Sequence, residues 1–344
     1  MEPAPAPNDD PRVTRRVLRV LTESLRRDAG VAEGDGVLVA CSGGADSVAL
    51  LRAMHALAPK RRWRLRVEAL HVQHHLRASA EADARFVASL CETLGIHHHR
   101  IDVGETDHQR EASRNLEMQA RQWRLKAYRE IAEARGLRFV ATGHHAGDQL
   151  ETVLMRLMRG AGVSAMAGIA PARPLGPGVD LLHPLLRLHP ETLRAYLRSL
   201  NQAWREDETN ADTTRMRSAL RSRVTPELFQ LAPDLPERLA AWQSHANGVG
   251  EVMREASETV SFPLERAAAR SLNPAVFQHA IGLRLAELGE HGDRIPRSLL
   301  ESIRHAAIET SGKPRRFELA QSMVFVDHDI IRIETRDSKS SNGA

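Results

Sequence analysis

The sequence predicts an α/β fold: a mostly parallel sheet with helices on both faces, followed by a smaller, mainly helical C-terminal domain that ends in a β-hairpin. Three observations carry this expectation. Short β-branched runs alternate with segments of helical spacing through the first part of the chain. From about Pro226 the sequence becomes rich in Ala, Leu and Arg. It then closes with Phe317–Leu319, Met323–Val326 and Ile330–Ile333, short apolar runs broken by Asp327-His328-Asp329.

The first strand is Gly36–Ala40, which has the length and β-branched content of a buried strand, and Asp46–Leu57 then switches to helical spacing. Leu65–Val72 reads as the next strand, and Ser79–Leu94 as a helix with Ala82, Phe86, Leu90 and Leu94 on one face. His99–Val103 is the third strand. A helix over Ser113–Ala134 carries the stripe Leu116, Ala120, Trp123, Ala127 and Ile131, and Arg138–Thr142 is another short strand. This alternation predicts a Rossmann-like sheet, in which ligands bind beyond the carboxyl ends of the strands. Cys41–Gly44, His71–His75 and Gly143–Asp148 all fall there, so three loops are expected to converge on one crevice. Pro171–Gly178 reads as a loop leaving the sheet, and helical patterns return at Glu191–Leu200 and around Arg215–Arg223.

At 344 residues, with 42% hydrophobic and 27% charged residues, the chain has the composition of an ordinary globular protein of two domains. The expected division is a flexible extension with a leading helix over 1–29, a catalytic domain over 30–225, a helical domain with the terminal hairpin over 226–336, and a disordered tail over 337–344. No apolar run is long enough to span a bilayer. Met1–Pro11 lacks the basic and apolar regions of a secretion signal, which gives a cytoplasmic expectation. Cys41 and Cys91 are the only cysteines, too few for a disulfide framework or a four-thiolate metal site, and are read as free thiols. A net charge of +4 is compatible with a polyanionic partner.

Between the first strand and its helix stands Ser42-Gly43-Gly44-Ala45-Asp46-Ser47. Two glycines let the backbone approach a phosphate closely, the helix N-terminus offers unpaired N–H donors, and Ser42 and Ser47 can add hydroxyls. The lysine of a G-x-x-x-x-G-K-[ST] loop and the third glycine of G-x-G-x-x-G are both missing, which disfavours P-loop kinases and dinucleotide dehydrogenases. An acidic residue beside a phosphate needs a cation between them, so Asp46 is a natural Mg²⁺ ligand. The hexapeptide resembles the signature of the PP-loop ATP pyrophosphatase superfamily, which binds the pyrophosphate of ATP and forms adenylated intermediates.

The second informative segment is His144-His145-Ala146-Gly147-Asp148-Gln149-Leu150-Glu151-Thr152. It opens a helix, and three-residue spacing sets Asp148 and Glu151 on one face of its first turn. Such a pair can hold Mg²⁺ or a cationic amine and can take the amine's proton. Here the chain resembles the tRNA(Ile)-lysidine synthetases, whose H-H-x-D-D-Q-x-E-T leads into R-G-x-G, matched by Arg159-Gly160-Ala161-Gly162. The resemblance extends to His71–Arg77, Asn115–Arg121, His183–Leu186, Glu206–Asn210 and Arg217–Arg221, covering about residues 30–230 in the family's order. Three departures stand out: Gly147 where the family has Asp, His183 where it has Arg, and Ser218 where it has Asn.

The resemblance implies an enzyme that uses ATP and Mg²⁺ to adenylate the wobble cytidine of isoleucine tRNA with a CAU anticodon and then joins free L-lysine to it. Carried over, Asp46 serves Mg²⁺ and ATP, Arg121 steadies the phosphates or the adenylate, and Asp148 and Glu151 engage lysine. Ser42, Gly43, Gly44, Ser47, His71 and Gly143 complete the expected ATP site. Arg159, Arg187, Arg217 and Arg221, from an arginine-rich stretch that also holds Arg156, Arg215 and Arg223, are expected on tRNA phosphates. The resemblance would also place the helical domain over 226–336 on the tRNA. The run His97-His98-His99 lies at a strand start without spaced partners and is not read as a metal site. The rival readings are a tRNA-thiolating PP-loop enzyme, an amide-forming NAD- or GMP-synthetase-like relative, and a non-catalytic tRNA-binding relative. The sequence does not decide whether the chain forms a homodimer.

Overall fold

A computed structural model describes residues 10–73, 80–103, 116–206, 216–290, 295–309 and 314–336, with backbone only for 116–118. The readings placed on His74–Arg77, Ser113–Asn115, Asp207–Asn210, Arg215, the first nine residues and the tail from 337 lie outside the described residues. Packing divides the chain at 154/155, 167/168 and 241/242, so that residues 155–167 join those after 241 in a second unit.

The first unit is built on β1 (Gly36–Ala40), a Val- and Leu-rich strand buried along its whole length. It pairs in parallel with β2 (Arg66–Gln73) on one side and β4 (Phe139–Ala141) on the other. Beyond β2 lies β3 (His97–Asp102). Beyond β4 come β6 (Val179–Leu182) and then β5 (Ala172–Gly176), giving the order β3-β2-β1-β4-β6-β5. All pairs are parallel except β5 with β6. Alternate side chains serve two cores, as strands covered on both faces require. Val37, Val39 and Cys41 pack with α1 (Pro11–Glu23), α2 (Ala45–Leu57), α3 (Ala80–Leu94) and α6 (Pro190–Ser199), whereas Leu38 packs with α4 (Leu116–Arg135).

Three expectations need correcting here. Pro171–Gly178 does not leave the sheet: it forms β5 and the turn into β6. The proline is tolerated because β5 is an edge strand, the register shifts between Pro174 and Gly176, and Gly178 at φ +70° makes the turn. The buried face of α3 is Ala84, Val87, Leu90 and Cys91, with Phe86 and Leu94 only flanking it, so the four-residue stripe read from the sequence is offset. The leading helix α1, capped by Asp10 with Pro11 in its first turn, is no loose extension; Val17, Val20 and Leu21 are core residues.

The packing also holds residues 226–241 in the first unit. Phe229 of α8 (Thr225–Leu231) and Leu239 of α9 (Leu235–Glu258) share a cluster with Ala146 and Leu150 of α5 (Ala146–Met158). These apolar residues recur on the face turned toward α5, which ties the chain just beyond Pro226 to the first unit rather than to the C-terminal one.

In the second unit α10 (Arg266–Ser271), α11 (Pro274–Glu287) and α12 (Arg297–Ile308) bury Ala269, Phe277, Ile281 and Ile303 against a sheet. That sheet is larger than the expected hairpin: β8 (Arg315–Glu318), β9 (Ser322–Val326) and β10 (Ile330–Thr335) form an antiparallel meander, and β7 (Leu264–Glu265) pairs with β10. Two residues are too short a strand to read from sequence. Arg266 is buried and donates to the carbonyls of Ala306 at 2.7 Å, Ala307 at 2.8 Å and Asp327 at 3.2 Å, and to that of Glu309. It fastens the end of α12 to the β9–β10 turn. Replacing it with Ala leaves buried carbonyls without donors, and Arg266→Ala is expected to destabilise the second unit by about 3 kcal/mol in chemical denaturation. An unchanged midpoint would show that those carbonyls find other partners.

Candidate functional site

The loop after β1 is held in shape by its own serines. The Ser47 hydroxyl donates to the Gly44 carbonyl at 3.0 Å and accepts from the Ser42 N–H at 3.1 Å, with the Ser42 hydroxyl 3.2 Å away. Gly43 has φ +93°, open to glycine, and Gly44 starts α2 with no side-chain cap, so the helix end presents its N–H groups. The backbone of Arg205 secures the other side, its N–H donating to the Gly43 carbonyl at 2.9 Å while its guanidinium donates to Asp83 at 2.8 Å. Sequence reasoning missed Arg205, because a backbone contact from so far along the chain leaves no residue pattern.

The loop after β4 reaches the same place. A Cβ on Gly143 would lie 2.9 Å from the Asp46 carbonyl carbon and 3.0 Å from the Ser47 nitrogen, so only glycine lets the two loops touch. His145 then bridges them: its Nε2 is 3.4 Å from Asp46 and 3.6 Å from Asp148. Gly147 donates its N–H to His145 Nδ1 at 3.0 Å, which in the neutral ring leaves the proton on Nε2, facing the carboxylates. A Cβ on Gly147 would come within 2.7 Å of the His145 ring. With no side chain at Gly147, the ring packs directly on the Gly147 backbone. Burial disfavours a charge on His145, but Asp148 and Asp46 outweigh it and raise its proton affinity above the ordinary histidine value.

Asp148 and Glu151 are buried at the first turn of α5. Two arginines from α7 (Met216–Ala219) and the π-helical turn after it (Leu220–Val224) close over them. Arg217 donates to Glu151 at 2.9 Å and Asp148 at 3.2 Å. Arg221 donates to Glu151 at 2.8 and 3.1 Å and to Asp148 at 2.9 Å. Burial works against a charged Asp148, yet His145, His144, Arg221 and the His145 N–H together hold it well below the usual carboxylate range. The arginines expected on tRNA phosphates are thus engaged by the carboxylates expected to engage lysine.

The remaining predicted residues divide. His71 is buried, with Nδ1 2.9 Å from the Cys41 carbonyl and Nε2 3.0 Å from Gln73, so it braces the nucleotide turn from behind. Arg121 is exposed on α4, and its charge is felt at His144, His183 and Arg173. His144 is bonded to Thr142 at 2.8 Å and meets the His183 ring edge to face, with centroids 4.8 Å apart. Burial, with His144 beside it, pushes His183 down to about 3, a neutral ring where the family carries a charged arginine. Arg187 pairs with Asp28 at 3.1 Å, and Arg159 is exposed. Both cysteines are free and buried, and burial pushes the Cys91 thiol up to about 12. Among the described residues no helix is long and apolar enough to cross a membrane.

Comparison with known proteins agrees with this geometry. The PP-loop domain family matches residues 10–228. A tRNA(Ile)-lysidine synthase from Porphyromonas gingivalis is 36% identical over 228 residues, covering 66% of this chain and 48% of that protein. One from Gloeobacter violaceus is 35% identical over 232 residues, covering 67% of each. The chain spans about half the length of the first of these relatives and of several others like it. A U34-tRNA thiolase from Methanococcus maripaludis, solved with its 4Fe-4S cluster, shares the fold with a TM-score of 0.59 at 16% identity, over 69% of this chain and 79% of that one. With the family match running from the leading helix through the nucleotide turn to the arginines over the carboxylate pair, the chain belongs to the tRNA(Ile)-lysidine synthase family of PP-loop proteins.

Proposed function

We propose that this chain joins free L-lysine to C2 of the wobble cytidine of isoleucine tRNA with a CAU anticodon, at the expense of ATP, forming lysidine. The observation that carries this reading is the buried pair Asp148 and Glu151, linked through His145 to Asp46 of the nucleotide turn and already closed around two cationic side chains. A pocket that binds guanidinium groups beside a phosphate site suits a cationic amino acid that must meet an adenylated base.

In the first step the cytidine C2 oxygen attacks the α-phosphorus of ATP, the bond to the bridging oxygen breaks, and pyrophosphate leaves. The N–H groups at the start of α2 and the Ser42 hydroxyl receive the departing charge, while Ser47 holds the turn in shape. Asp46 Oδ1 is buried with no partner among the described residues, an unused acceptor that fits Mg²⁺, which when bound would neutralise phosphate charge. Arg121, on the exposed side, steadies the phosphates or the adenylate. In the second step the lysine ε-amine attacks C2, the C2–O bond breaks, and AMP leaves. Asp148, held far below the carboxylate range, anchors the ammonium, and Glu151 one turn along takes its proton.

Two carboxylates already matched by two arginines do not accept a third cation, so lysine displaces a guanidinium. The displaced Arg217 or Arg221 then turns outward to tRNA phosphate, as Arg187 does; Arg159 of the second unit is assigned to tRNA phosphate by itself. The thiolating alternative is not favoured by two buried thiols, one of them pushed up to about 12.

Incubation with ATP, Mg²⁺, radiolabelled lysine and the CAU-anticodon isoleucine tRNA is expected to label the RNA. No label, or a mass gain of one sulfur, would sink the reading. Asp148→Asn is expected to lower lysine transfer by at least about a hundredfold while the chain stays folded. Gly147→Ala, which drives a methyl group into the His145 ring, is expected to cost about tenfold in transfer rate; full activity would mean the bridge is dispensable. Because the folded-state proton affinity of His145 is raised, its contribution to stability is complete below about pH 6.5 and is lost as pH climbs through the raised value. Wild type should therefore exceed His145→Asn in melting temperature by more at about pH 6 than at about pH 8.5. A gap that widens with pH would contradict the assignment.

A further inference from the structure

The run His97-His98-His99 lies outside the site described above, but the fold brings it a partner. Glu68 of β2 and His97 of β3 are register partners and His99 lies two residues on, so all three side chains share the α4 face of the sheet. His99 Nε2 is 2.7 Å from Glu68, and the His97 and His99 rings meet edge to face with centroids 4.5 Å apart. One ligand atom from each of the three lies within 4.8 Å of the others. Glu68 is buried and His97 exposed on an edge strand, so the cluster has a protein side and a solvent side.

We propose that Glu68, His97 and His99 form a binding site for a divalent transition ion of the zinc class, which clips the edge strand β3 to β2. Two imidazole nitrogens and one carboxylate oxygen are a donor set such ions take, with water completing the tetrahedron from the solvent side. Bonds of about 2.0–2.1 Å set ligand atoms roughly 3.3 Å apart, so rotation of the exposed His97 ring closes the set. On binding, His99 takes the neutral tautomer with its proton on Nδ1, which frees the Nε2 lone pair for the ion. The opposing charge is Arg135, which donates to Glu68 at 3.0 and 3.2 Å; its side chain is 45% exposed and can swing into solvent. Arg66, 3.9 Å from Glu68, is occupied with the carbonyls of Arg135 and Gly136. His98 pairs with Ala69 on the opposite face, outside the cluster.

The test is calorimetric titration of zinc chloride into the untagged full chain after chelator treatment, repeated for His97→Ala, His99→Ala and His98→Ala. The expected result is one site per chain that weakens by at least about tenfold in each of the first two variants and is unchanged in the third. Cobalt in place of zinc should give the visible absorption of a tetrahedral ion in wild type and lose it in His97→Ala, whose exposed side chain can be removed without disturbing the fold. Absence of a site in wild type, or zinc binding unaffected by His97→Ala and His99→Ala, overturns the proposal.

Discussion

Two carboxylates buried side by side repel each other and lose their hydration, so Asp148 and Glu151 can stay charged only if cations reach them. Leaving such a charge unpaired costs several kcal/mol, more than most single contacts in the molecule supply. Arg217 and Arg221 meet that need with five hydrogen bonds. Their position constrains much of the surrounding chain. The segment around residue 217 must fold back onto the start of α5, and the helices after it bury Phe229 and Leu239 beside Leu150.

A second constraint is the contact between the loops after β1 and β4. Gly143 lets the β4 loop touch the first turn of α2, and His145 completes the crossing between Asp46 and Asp148. The loop after β1 and the first turn of α5 are therefore joined by one imidazole, which accepts the Gly147 N–H and packs on that backbone. The glycine that stands where the family has Asp lies, in three dimensions, directly against the ring of the bridging histidine.

Much of this was legible from the sequence for identifiable reasons. Fully buried strands such as Gly36–Ala40 announce themselves as apolar runs, and the Ser42–Ser47 and His144–Thr152 segments carry chemistry in consecutive residues. The β5–β6 hairpin was hidden because proline and glycine usually mean a loop, and only an edge position lets them form a strand. The offset on α3 arose because residues at both margins of a helical stripe are apolar. The pairing of Arg217 and Arg221 with the carboxylates was unreadable, since a basic run looks the same whether it faces phosphate or Glu151. Glu68 beside His97 and His99 needed the register of two strands, which no local pattern encodes.

The central claim is that Asp148 and Glu151 form a site for a cationic amino acid from which lysine displaces an arginine. The most direct measurement is calorimetric titration of free L-lysine into the wild-type chain and into Glu151→Gln and Arg121→Gln. Saturable lysine binding is expected in wild type, retained in Arg121→Gln and lost in Glu151→Gln. Lysine binding by Glu151→Gln equal to that of wild type would contradict the claim.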